Sequence, residues 1–133
     1  HLSLRRQRQM CIRDRDKKTG GWFMVVDKGD NPLNFVDPSG TAMFVYSIQR
    51  GVELGLLKAK EYTPVAYRGY QSLFPFIQVN DRGLLDVIGA CDGVVIKKNF
   101  IEYVTVPKIL NAKEAVAGIL WAAVIMETEQ LKK

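Results

Sequence analysis

Asp37-Pro38-Ser39-Gly40-Thr41-Ala42-Met43-Phe44-Val45-Tyr46, running on to Gly55, defines one helix and limits what the rest of the chain can pack into. The Asp37 carboxylate can cap a helix, and Pro38 suits the first helical position because it has no N–H to leave unpaired. Ala42, Val45, Tyr46, Ile48, Val52 and Leu56 follow at near-helical spacing, and Gly51 and Gly55 thin out the last turns. This predicts an amphipathic helix from about Pro38 to Leu54.

The remaining elements read less sharply. Asp16 to Gly21 is a polar turn, and Trp22-Phe23-Met24-Val25-Val26 is a short extended run entering a buried place. Asp27 to Asn34 is a loop by its Gly, Pro, Asn and Asp content. A second helix is predicted to start at Thr63-Pro64, with Val65, Ala66, Tyr70, Leu73 and Ile77 as its apolar stripe and Pro75 ending it. Val79 to Ile88 reads as a small β-hairpin about an Asn80-Asp81-Arg82-Gly83 turn. Gly89 to Gly93 is a tight loop, Val94-Val95-Ile96 a brief extended piece, and Asn99 to Pro107 fits strand or helix equally. The third helix is predicted with Asn111 as cap, Glu114 as its capping-box partner, and Val116, Ile119, Leu120, Ala123, Val124 and Leu131 as the buried side. The fold class is therefore mainly α, one structural unit with a small β-hairpin in a connector.

His1 to Arg15, HLSLRRQRQMCIRDR, breaks this pattern with five Arg and no apolar periodicity. As biology it would be a basic arm for nucleic acid or an anionic membrane. The eleven residues from Arg5 to Arg15 are instead similar to the translation of a transposase sequencing adapter with its mosaic end. Residues 1–15 are read as that scar, unstructured, and residues 16–133 as the protein proper. Setting aside five Arg and one Asp turns 19 basic and 14 acidic residues into 14 and 13, so the net charge falls from +5 to +1. The argument for a nucleic-acid partner goes with it. So do Cys11 and the only histidine, which leaves Cys91 alone and no Cys/His metal set. No apolar run approaches a membrane span.

The residues themselves offer few chemical groups. Without a histidine, residues 16–133 hold no histidine-dependent triad, and Gly20-Gly21 and Gly89 to Gly93 lack phosphate-loop spacing. Asp27/Asp30 and Asp81/Asp86 pair carboxylates, but each pair sits in a turn, where Asp serves the backbone. Trp22 is either a core residue or a flat apolar platform for a pyranose. Ser39 and Gly40 open the first helix, where unpaired N–H groups favour an anion such as a uronate carboxylate, the plainer reading being helix capping. Cys91 shows neither base nor electropositive setting and reads as a small buried residue.

Four words in order resemble the unsaturated glycuronyl and rhamnogalacturonyl hydrolases of glycoside hydrolase families 88 and 105. They are Thr19-Gly20-Gly21-Trp22-Phe23, Asp37 to Phe44, Ala90-Cys91-Asp92-Gly93 and Asn111 to Ala122. The Asp37 helix word is similar to that of the rhamnogalacturonyl branch. The resemblance implies the C-terminal part of an (α/α)6 toroid and a substrate carrying a 4,5-unsaturated uronate left by a polysaccharide lyase. In such enzymes an aspartic acid protonates the vinyl-ether double bond, water adds at C5, and the hemiketal collapses. That acid lies upstream, so no catalytic residue is assigned within this chain. The substrate-binding candidates implied are Trp22, Ser39, Gly40, Cys91, Asp92, Gly93 and Val94. Met24 stands where the family usually has glutamine, Val94 where it tends to have threonine, and Asp92 would repel a uronate.

An oligosaccharide partner, no cofactor and no metal are expected, in the cytoplasm or alternatively the periplasm. The competing reading is a helical binding or scaffold module without catalysis.

Overall fold

The computed structural model describes residues 14–130. Helix α1 (Pro38–Glu53) is the axis on which the two other long helices pack. Asp37 caps it: one carboxylate oxygen accepts from the Gly40 N–H at 2.8 Å and from the Ser39 hydroxyl at 2.7 Å, with Pro38 at the first helical position. At the other end Gly55 takes φ +69°, and its N–H and that of Leu56 reach back to the Val52 and Gly51 carbonyls. This double closure satisfies carbonyls the last turn would otherwise orphan and needs the left-handed conformation that glycine adopts without strain.

The chain then reverses into α2 (Ala59–Gln71), which begins one turn before the expected Thr63-Pro64 start. Lys58, not Thr63, is the cap residue, and it makes no side-chain cap bond. Pro64 lies inside the helix on its exposed side, where the carbonyl its missing N–H leaves unbonded meets water. The buried Tyr62, one residue before Thr63, belongs to the packed face with Val65, Ala66, Gly69 and Tyr70. The helix ends at Gln71, and a 3-10 turn (Phe74–Phe76) carries Pro75. The hairpin expected over Val79 to Ile88 forms about the same turn but starts earlier, β1 (Ile77–Val79) antiparallel to β2 (Leu85–Val87), so Ile77 belongs to a strand opposite Val87 and not to the second helix.

A second two-stranded pairing, β3 (Ala90–Cys91) with β4 (Lys108–Ile109), was not expected. The ambiguous stretch between them holds the short helix α3 (Phe100–Val104), capped by the Asn99 side chain on Glu102 N–H. Val94, Val95 and Ile96 are exposed and irregular rather than extended in a sheet.

Helix α4 (Lys113–Gln130) closes the structure. The Asn111 side chain does not cap it. Asn111 sits at φ +55° and turns back to the hairpin, accepting from Val87 N–H at 2.7 Å and donating to Asp86 at 2.9 Å. Its own N–H goes to the Val87 carbonyl, so Glu114 closes no capping box. The Asn111 bond, with a further one from Asn80, holds the Asp86 carboxyl below its ordinary range.

The face α4 buries is Ala115, Gly118, Ile119, Ala122, Ile125 and Met126; of the expected stripe, Ile119 lies in it and Val116 and Ala123 pack half-buried at its edge. Leu120 and Val124, predicted inside, are 60% and 67% exposed, and Trp121 is 61% exposed. Small residues set this face. A Cβ on Gly118 would lie 3.2 Å from Ala42 Cβ, so α1 and α4 approach closely there. Ala42 beside Gly118 and Tyr46 beside Trp121 show that the two helices run in the same direction. Leu131 lies outside the described residues.

Trp22 fills the space between α1 and α2, 1% exposed and stacked on Phe44 at 5.0 Å between ring centroids. Its N–H donates to Thr41 Oγ1 and its carbonyl accepts from Asp37 N–H, so the Trp22 backbone registers the start of α1. The extended run is brief: Trp22 bridges Arg15 and Phe23 bridges Val36. Arg15, the last residue of the segment set aside as unstructured, thus pairs its backbone with the core tryptophan. Residues 1–13 lie outside the described residues.

Candidate functional site

Loop 31–37, the N-terminus of α1, the turn after β3 and the start of β4 meet at one end of the molecule. β3 packs against α1, and the β3–β4 register sets Cys91 opposite Lys108. Directly opposed residues of an antiparallel pair point to the same face, so the Cys91 and Lys108 side chains share one. Lys108 carries its ammonium 3.7 Å above the Phe35 ring. Gly93, at φ +50°, lets the chain turn, and a Cβ there would lie 3.9 Å from Glu114 Oε1 at the start of α4.

Six of the seven residues picked from the sequence belong to this end: Ser39, Gly40, Cys91, Asp92, Gly93 and Val94. The seventh does not. Trp22 lies in the core beneath, its ring against Phe44, so it presents no open face for a sugar.

The role expected of Ser39 and Gly40 also changes. The Ser39 hydroxyl and the Gly40 N–H both donate to Asp37 Oδ2, so the anion at this helix N-terminus is the chain's own carboxylate. The other oxygen, Asp37 Oδ1, is buried and accepts no hydrogen bond among the described residues. Cys91 is buried, and its thiol is pushed up by that burial and by the Asp37 charge, with Lys108 pulling the other way. It is a small buried packing residue, as the sequence suggested. Asp92, Gly93 and Val94 are exposed. No group of three or more His, Cys, Asp or Glu among the described residues is arranged to hold a metal ion.

Sequence reasoning missed Phe35, Lys108 and Glu114 here. Pro107-Lys108 closed a stretch with no periodic signal, and a two-residue pairing across 17 positions leaves no local mark.

A cavity of about 580 Å³ lies elsewhere, between the β1–β2 hairpin and α4, lined by Ile77, Leu85, Val116 and Leu120 among others. Its walls are almost wholly apolar and hold none of the candidate residues, so it suits packing rather than catalysis. No helix among the described residues is long and apolar enough to cross a membrane.

Known proteins match this arrangement. The family model described as Glycosyl Hydrolase Family 88 matches residues 2–130, and so includes most of the segment read as adapter-derived. A family 105 glycoside hydrolase from C. acetobutylicum ATCC 824 superposes with TM-score 0.81 at 26% identity, covering 89% of this chain and 34% of that one. A possible family 105 member from Salmonella enterica serovar Paratyphi A shares the fold, at TM-score 0.69 and 17% identity over 89% of this chain and 29% of its own. Among curated proteins, Protein Atu3128 of Agrobacterium fabrum and the 24.9 kDa protein in the picA locus of Rhizobium radiobacter are each 31% identical over 64 residues. Those residues are 48% of this chain and 28% of theirs. The chain thus spans about a third of the solved enzymes it resembles.

Proposed function

The chain belongs to glycosyl hydrolase family 88, and from that membership we propose that it is the C-terminal part of an unsaturated rhamnogalacturonyl hydrolase. In this reading the parent enzyme is an (α/α)6 toroid that hydrates the 4,5-unsaturated uronyl residue of pectin-derived oligosaccharides. The observation that carries it is the superposition on the family 105 hydrolase, which takes in 89% of this chain but 34% of that one. The outward apolar residues of α4 support it, because Leu120, Trp121 and Val124 form a side that a longer protein would bury.

The proton donor to the vinyl ether belongs to upstream sequence in this reading. The chain's own contribution is the end built from α1, the turn at 91–94 and Lys108, which shapes part of the sugar site and supplies charge there. The cytoplasm, with the periplasm as the alternative, is the compartment the reading assigns. No step here is the two-carboxylate displacement of retaining glycosidases.

The test is direct. The purified chain incubated with unsaturated rhamnogalacturonan disaccharide should leave the double-bond absorbance unchanged, whereas a polypeptide extended upstream from the same locus should consume it. Turnover by the 133-residue chain alone, or none by the extended protein, would overturn the proposal.

A further inference from the structure

We infer that Lys108 is the residue that receives the carboxylate of an acidic sugar at this end of the molecule, which deepens the reading above and rests on it. The obvious donors at this end are already committed. Ser39 Oγ and the Gly40 N–H, where a helix N-terminus would ordinarily hold an anion, are spent on Asp37. A substrate carboxylate therefore needs another positive group within the same cluster.

Lys108 fits by placement. Its pairing with Cys91 puts its side chain on the face that Cys91 shares with the start of α1. The Phe35 ring beneath the ammonium, at 3.7 Å, holds it in place without neutralising it. No carboxylate among the described residues lies within ion-pair distance of it; the two ion pairs found there are Arg50–Glu53 and Lys113–Glu114. Lys108 is solvent-exposed, so an incoming sugar can reach the charge. The acidic groups nearby, Asp37, Asp92 and Glu114, would repel an anion placed elsewhere at this end. They narrow the favourable position to the Lys108 side.

The role is in specificity, not bond-making. Lys108 should discriminate acid from neutral sugar by about tenfold in Kd, the size of a charge-assisted hydrogen bond at a partly solvated site. The experiment is an amide NMR titration of the full chain with D-galacturonate and, separately, with D-galactose, repeated on Lys108→Met and Lys108→Arg. Near-UV circular dichroism reports whether the Trp22 core survives each change. The expected result is tighter binding of galacturonate, with shifts around Phe35, Cys91 and Gly93. Lys108→Met should bring galacturonate to the galactose level, and Lys108→Arg should keep most of the preference. Unchanged galacturonate affinity in Lys108→Met, or loss of preference in Lys108→Arg equal to that in Lys108→Met, overturns the role of Lys108 and leaves the family reading standing. No preference for acid in the parent chain overturns it as well, while the double-bond assay on the extended protein judges the hydrolase reading independently.

Discussion

Replacing Gly69 with alanine sets two known effects against each other inside one helix. In an exposed helix interior the change would help by about 1 kcal/mol, because glycine gives up more backbone freedom than alanine. Here the new methyl would lie 2.7 Å from Trp22 Cζ3 and 2.9 Å from Val45 Cγ2, well inside van der Waals contact. Neither neighbour can step aside. Trp22 is held by Phe44 on its face and by the Thr41 and Asp37 bonds to its backbone, and Val45 is fully buried on α1. Overpacking of this kind costs about 1–3 kcal/mol, and a clash with two fixed side chains belongs at the upper end. The net expectation is a loss of about 1–2 kcal/mol for Gly69→Ala, read as a lower urea midpoint at unchanged slope. The control is Trp22→Phe, which removes the ring that meets the methyl. In that background Gly69→Ala should cost less by at least about 1 kcal/mol, a coupling only a double-mutant cycle isolates. Gly69→Ala as stable as the parent, or additive with Trp22→Phe, would refute the claim that Gly69 exists to admit the indole.

Three further outcomes follow from the structure. Asp37→Ala removes the α1 cap and the Ser39 bond together and should lower stability by about 1–2 kcal/mol in urea denaturation, with Asp37→Asn keeping an acceptor and losing less. Tyr70 is pushed up to about 12 by burial first, then by its bond to Glu127 and that residue's charge. Its contribution is therefore complete below the ordinary tyrosine value of about 10 and disappears as pH rises toward 12, so alkaline unfolding followed by tyrosinate absorbance should lose this step in Tyr70→Phe. Leu120→Lys with Val124→Lys on the exposed side of α4 should cut dye binding and self-association of the chain while changing its stability by no more than about 0.5 kcal/mol per site.

Where sequence logic is local, it located structure well. The α1 start rests on Asp37, Pro38 and Gly40, all within four residues, and its end on Gly55 at positive φ; these interactions survive in any surrounding. The α2 start shows the same rules overridden. Thr63-Pro64 carries a legitimate start signal, but Tyr62 is buried and Pro64 faces water, so packing outweighs one missing hydrogen bond. Asn111 reads as a cap because caps use asparagine, yet its side chain secures Val87 and Asp86 from 24 and 25 positions away. The site suffered most from such distances. Six candidates lie together at one end because they come from two short segments, but the β3–β4 pairing that brings Lys108 there has no periodic trace.

On helix α4, hydrophobic spacing finds Ile119 and misplaces Leu120 and Val124. Val116, Ile119, Leu120, Trp121, Val124, Ile125 and Met126 encircle it with apolar groups, so hydrophobic spacing selects no single direction. The direction is set by the small residues. Ala115, Gly118 and Ala122 let the α1 backbone come close, and a bulky stripe cannot compete with that fit however apolar it is. Leu120 and Val124 then turn outward, although nothing about a solvent-facing helix requires them to be apolar. A pattern of this kind records every surface a segment buries in its complete setting, and the side left over is the one the proposed longer enzyme would cover.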